Sequence, residues 1–289
     1  MKFVLVLDLG TTSVKTGLFD ELGVCLATAT REYQLLTPQA DRAELNAETY
    51  WQAAVEGIRS VLGQSTVAAA HVVGIAVSSQ GETLIAVDSQ GHPLCNAIVW
   101  MDNRAVQEAE YLKARLGDQV YACTGIPEVT PTWPACKILW LKRNEPAIWQ
   151  QVRRFLLLQD FIVYCLSGRM VTDGSISCTT MLYDIQAQQW WAPAMEAVGI
   201  CPSLLPEILV PGAVAGTLTA AAAAELGLPQ TLKVVCGGMD QCVGAIGAGN
   251  IDEGTVSETT GAALAMQISL RQAPTDAGSI PVYVHSIPG

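Results

Sequence analysis

The string Asp8-Leu9-Gly10-Thr11-Thr12-Ser13-Val14-Lys15 sets a carboxylate at the end of an apolar run, directly before a Gly-Thr-Thr turn. That order suits phosphate chemistry. Gly10 lets backbone approach a phosphate closely, and Thr11 and Thr12 offer both N–H and hydroxyl donors. Asp8 suits magnesium, which takes one or two carboxylates together with substrate phosphates. Taken alone, a hairpin turn of polar residues accounts for the string equally well. A second candidate is Cys236-Gly237-Gly238-Met239-Asp240-Gln241, followed by glycines at 244, 247 and 249. Paired glycines end a strand there, and Asp240 stands at the mouth of a glycine-spaced helix, where open α/β sheets bind their ligands. Helix capping is the plain alternative, and one carboxylate can do both. The third candidate, GTVSETTG over 254–261, again puts threonines and a glycine between strands. Two such turns would clasp a polyphosphate between them. In isolation a polar hairpin explains the third string as well.

These residues need a sheet to hold them. The apolar run 3–7 reads as a central strand buried on both faces. Val14–Phe19 and Val24–Thr30 follow across tight turns, making an antiparallel meander. Asn46 is placed to cap a helix with Glu48 in its first turn and Trp51, Ala54, Val55, Ile58, Val61 and Leu62 on one apolar face. Val72–Ser78 and Thr83–Val87 are the next strands, closed by the turn Asp88–Gly91. Helical patterns then cover Arg104–Leu116, Ala135–Arg143, Phe161–Leu166 and Trp191–Val198. Leu232–Cys236 is a late strand, and 255–260 with 263–268 form a fresh hairpin. A hairpin is a poor independent unit. The expectation is one domain over 1–245 and the beginning of a second over 246–289.

Bulk properties narrow the function. The 289 residues carry 27 acids against 16 bases, a net charge of -11. That argues against nucleic acid as the main partner, which would require a basic stripe, but not against a nucleotide, whose phosphates are held by local N–H groups. No apolar run approaches the roughly 20 residues of a spanning helix, and Asp8 arrives too early for a signal peptide. Nine scattered cysteines without a C-x-x-C pair fit buried thiols in a reducing cytoplasm.

Taken together and in order, these strings resemble the N-terminal half of the FGGY carbohydrate kinases. Asp8–Lys15 matches that family's D-x-G-T-T-S-x-[KR] turn. Glu44–Glu48 with Trp51 is similar to its E-x-[DN]-P-E-x-W segment, with Ala47 in place of proline. Trp100–Arg104 resembles W-x-D-x-R, while Lys137, Trp140, Asn144 and Pro146 fit K-x-x-W-x-x-x-N-x-P. Gly237–Asp240 with the later glycines resembles the segment that carries the catalytic aspartate. The resemblance implies an actin-like, ribonuclease-H-like α/β fold, with a mixed five-stranded sheet flanked by helices and the start of a second domain of the same fold.

The resemblance also implies roles. Asp240 would be the general base toward a sugar or polyol hydroxyl, and Asp8 would help hold magnesium. Gly10, Thr11, Thr12 and Lys15 would meet ATP phosphates. Thr259, Thr260 and Gly261 would form the second phosphate turn, in a register that departs from the family's G-T-S pattern. On the sugar side stand Gln80, Gly81, Glu82, Trp100, Asp102 and Gln241. Glycerol kinases carry an arginine where Gly81 stands, which leaves room for a longer polyol. Asp102 serves equally as a support for neighbouring residues. The expected partners are a small sugar or polyol and ATP, with no nucleic acid and no membrane, and with pairing into a homodimer allowed. Adenine would sit largely beyond Gly289, so residues 1–289 alone are expected to turn over little. A non-catalytic actin-fold sensor of sugar or nucleotide is the second reading. An actin-fold ATPase acting on proteins is the third, disfavoured by the long helical insertion between 102 and 200.

Overall fold

The computed structural model describes residues 1–260, 264–274 and 278–287. Its centre is one mixed sheet built from β1 (Phe3–Leu9), β2 (Ser13–Asp20), β3 (Cys25–Glu32), β4 (Val72–Ser79), β5 (Val214–Thr217) and β6 (Lys233–Met239). The order across the sheet is β5-β6-β4-β1-β2-β3. β1, β2 and β3 are the expected antiparallel meander, and β4 runs parallel to both β1 and β6. The sheet has six strands where five were expected. The sixth, β5, lies antiparallel at the edge, and its Val-Ala-Gly-Thr sequence is too short to announce itself by alternation.

Along β1, Phe3, Leu5, Leu7 and Leu9 are buried while Val4, Val6 and Asp8 are half-buried. Side chains alternate faces in a strand, so one face of β1 is only partly covered. The run is apolar throughout, yet Asp8 remains reachable. Helix α1 (Ala47–Gln64) packs its apolar stripe on β2 and β3. Asn46 caps it, its side chain accepting from Glu48 N at 3.0 Å. Tyr50, Ala54, Val55, Ile58 and Val61 are wholly buried, each large one contributing about 1.5–3 kcal/mol of apolar burial.

The insertion between the sheet strands builds a second core. Helix α2 (Pro134–Asn144) begins with proline at its first position, where no N–H partner is lost. Four short strands, in the order Glu44–Leu45, Ala97–Ile98, Leu84–Val87, Arg154–Leu157, join this layer to the first. Helix α3 (Leu158–Ser167) follows directly, and helix α4 (Asp240–Gly247) leaves the end of β6. The hairpin Val256–Thr260 and Leu264–Ile268 forms as expected, with Leu264 and Met266 each 70% exposed. The chain then returns to the body of the molecule, where Val282 N donates to Gly125 O at 2.9 Å and Val284 N to Cys178 Sγ at 3.3 Å.

Cys136, Cys178, Cys236 and Cys242 are buried thiols, as expected of all nine, but Cys25 and Cys201 are exposed. Among the described residues no helix is long and apolar enough to cross a membrane.

Candidate active site

Parallel pairing brings three strand ends to one edge. Leu9 and Met239 both register against Ser79, so Gly10, Gln80 and Asp240 emerge side by side, and Asp8, paired with Ser78, lies just inside the same edge. Asp8 and Asp240, 232 positions apart in sequence, are separated by two strand spacings, about 10 Å of sheet. Their fields overlap. Burial pushes the Asp240 carboxyl up to about 6 and the Asp8 charge adds to that rise, while the Gln241 N–H and Lys15 oppose it. Lys15 Nζ stands 3.6 Å from Asp8 Oδ2 on the exposed side. Gln241 N donates to Asp240 Oδ1 at 2.7 Å, which fixes the carboxylate at the start of α4.

The Asp8–Lys15 turn is braced from below. Gly10 N donates to Ser13 O, and Tyr33 N to Thr12 O; the Tyr33 hydroxyl donates to Gly10 O. Trp100 Nε1 donates to Thr11 Oγ1 at 2.9 Å, which in turn donates to Gln80 Oε1 at 2.8 Å. Trp100, expected at the sugar, is therefore also tied to the Asp8–Lys15 turn. Thr11's hydroxyl is engaged inside the protein, and Thr12 is the exposed one of the pair.

The loop after β4 is shaped by its packing. A Cβ at Gly81 would lie 2.7 Å from Thr179 Cγ2, so this position cannot hold a side chain unless Thr179 moves. Glu82 adopts a left-handed backbone with φ 55° and its N donates to Thr179 Oγ1. Burial raises the Glu82 carboxyl, Lys137 opposes the rise, and Asp240 adds to it. Glu82 thus shares the electrostatic neighbourhood of Asp240. Gln241 is half-buried beside it, with an Oε1 that finds no protein partner.

Two expectations need correction or qualification. Asp102 does not face the cleft: it is wholly buried, and its oxygens accept from Ala43 N, Arg104 N, Nε and Nη2. A carboxylate so saturated braces the Trp100 loop instead of meeting a ligand. Thr259 and Thr260 are exposed at the end of their hairpin strand, which packs against α4, and Gly261 lies outside the described residues.

Sequence reasoning assigned no site role to the groups behind these strand ends. Lys137 is fully buried, donating from Nζ to Glu82 O at 2.9 Å and Val99 O at 3.0 Å, and burial lowers its ammonium. Gln159, Asp173 and Ser175 are likewise buried. The available signal was polar residues interrupting an apolar run, as Gln159-Asp160 does within 155–166.

Residues 3–247 match the N-terminal domain model of the FGGY family of carbohydrate kinases. A xylulose kinase of Lactococcus lactis subsp. lactis is 32% identical over the whole chain, which spans 58% of that kinase. The crystal structure of a xylulose kinase from Rhodospirillum rubrum superposes with a TM-score of 0.94 at 27% identity, over 100% of this chain and 59% of that one. A gluconate kinase from Lactobacillus acidophilus gives a TM-score of 0.86 at 27% identity, covering 92% and 53%. The chain thus spans a little over half the length of these relatives. With the strand-end carboxylates, the braced turn and the family model in agreement over 3–247, the chain belongs to the FGGY family of carbohydrate kinases.

Proposed function

We propose that this chain supplies the acceptor side and the first phosphate turn of an ATP-dependent sugar or polyol kinase, with xylulose-like ketoses the leading acceptors. The observation that carries the reading is the pairing of Asp8 and Asp240 at one sheet edge, close enough for the first to raise the second. A carboxylate near 6 is mostly ionised at neutral pH, yet basic enough to take a proton from a hydroxyl as the bond to phosphorus forms. Asp240 is the group that accepts this proton. Glu82 and Gln241 orient the acceptor beside it; Gln241 Oε1, buried without a protein partner, would have to turn into the cleft to meet a substrate hydroxyl.

Among the described residues no cluster of three or more His, Cys, Asp or Glu could hold an ion by itself. Magnesium suits such a site, because it fills its shell with water and phosphate oxygens around one or two carboxylates. Asp8 would hold it, half-exposed at the same sheet edge as Asp240. The metal would neutralise phosphate charge; alignment and charge are most of what phosphoryl transfer asks of a protein. The exposed Thr12 and the N–H groups of the turn would meet phosphate oxygens.

The test is ADP release against a panel of ketoses and polyols in the full-length protein, wild type and Asp240→Asn. The variant should lose about 10²–10⁴-fold in turnover while sugar affinity, read by titration calorimetry, changes little. Turnover equal to wild type would end the general-base assignment.

A further inference from the structure

Asp240 is only as well placed as the backbone before it, and that backbone is held by a buried circuit outside the reacting groups. Asp173 is its hub. Asp173 Oδ1 accepts from Ser175 N at 2.8 Å and Ser175 Oγ at 2.6 Å, and Asp173 Oδ2 accepts from Gln159 Nε2 at 2.6 Å. Each partner passes the polarity on to a consecutive N–H at the end of β6. Gly238 N donates to Gln159 Oε1 at 2.8 Å, and Met239 N donates to Ser175 Oγ at 3.1 Å. Asp240 is the next residue. On the other side Gln159 N donates to Ser79 Oγ at 3.1 Å, which donates to Gln80 O at 2.8 Å. Gln159 therefore touches both strand ends that flank the site.

Asp173, Ser175, Gln159 and Ser79 are each 0% exposed. Water cannot replace a lost partner cheaply at such depth, so the circuit is satisfied as a unit or not at all. The strand needs it here. β6 shifts register between Cys236 and Gly238, and the irregularity leaves the Gly238 and Met239 N–H groups to side-chain acceptors. A carboxylate at 173 fixes which way those acceptors point: it orients the Gln159 amide with its oxygen toward Gly238, and it holds the Ser175 hydroxyl hydrogen so that the oxygen faces Met239.

We infer that Asp173, through Gln159 and Ser175, is a positioning residue for the Asp240 carboxylate. This rests on the proposed kinase reading. The test uses the full-length protein. Asp173→Asn puts an N–H donor against the Gln159 amide, so kcat should fall about 10- to 100-fold, the scale of a misplacement near 1 Å, while KM for sugar and ATP stays within about threefold. The double variant Asp173→Asn with Gln159→Glu restores donor to acceptor in the opposite sense and should recover most of kcat. Ser175→Ala removes the acceptor of Met239 N and one of the donors to Asp173, leaving the Gln159 branch intact; it should speed amide exchange at Met239 and lower kcat by a smaller factor, and it keeps the role testable should Asp173→Asn fail to fold. Folded variants with kcat within twofold of wild type would overturn the positioning role alone, as would no recovery in the double variant. A wild-type protein without turnover on any acceptor would remove the kinase reading and this inference together.

Discussion

At the residue scale the site turns on two like charges that share one sheet edge. Only the ionised Asp240 can accept a proton, so kcat/KM should fall as pH drops through about 6, the value to which burial and Asp8 raise it. Removing the Asp8 charge removes a cause of that rise. In Asp8→Asn the acid limb should therefore move to lower pH, even though the rate itself is reduced. The measurement is kcat/KM against pH for both proteins, and a limb that stays in place would show that Asp8 does not act on Asp240. Both carboxylates were legible in the sequence, because each follows an apolar strand and adjoins glycines. What Lys137, Gln159, Asp173 and Ser175 do behind them was not. Beyond the local Asp173–Ser175 contact, their partners lie 14 to 80 positions away, and spacing does not encode such pairings.

At the element scale the decisive feature is the irregular end of β6. A Cβ at Gly237 would collide with the Val77 carbonyl of β4, and backbone inside a central parallel pair cannot retreat. Gly237→Ala should cost about 3 kcal/mol as over-packing, seen as a lowered urea midpoint with unchanged slope. A variant as stable as wild type would mean the strand pair is looser than its register implies. The long elements were readable. The three meander strands, the Asn46-capped helix and β4 follow from alternation, helical spacing and a capping residue. The short strands Glu44–Leu45 and Ala97–Ile98 and the edge strand β5 were not, since two to four residues carry no period.

At the scale of the whole molecule, residues 1–289 bring the strand ends that carry Asp8, Gln80 and Asp240 to one edge and set an exposed hairpin beside it. The chain spans a little over half of its relatives, and the family resemblance puts adenine in the other half. Residues 1–289 by themselves should bind magnesium-ATP more weakly than micromolar while still taking up free sugar. Calorimetric titration decides this, and micromolar ATP binding would refute it. The segment 280–287 adds a feature invisible beforehand: Tyr283 returns to pack with Leu157, Ile176, Met239 and Cys242, next to Asp240. What the sequence determined alone was local: which stretches are strands, where glycine and threonine make a turn, and which carboxylates stand at strand ends. These depend on neighbours within a few residues, so they are written in periodicity. Tertiary structure decided that Asp8 and Asp240 share one sheet edge, that Asp102 is buried support, and that Asp173 lies behind the strand end that carries Asp240. Those outcomes follow from parallel pairing and burial, which join residues that no local pattern connects.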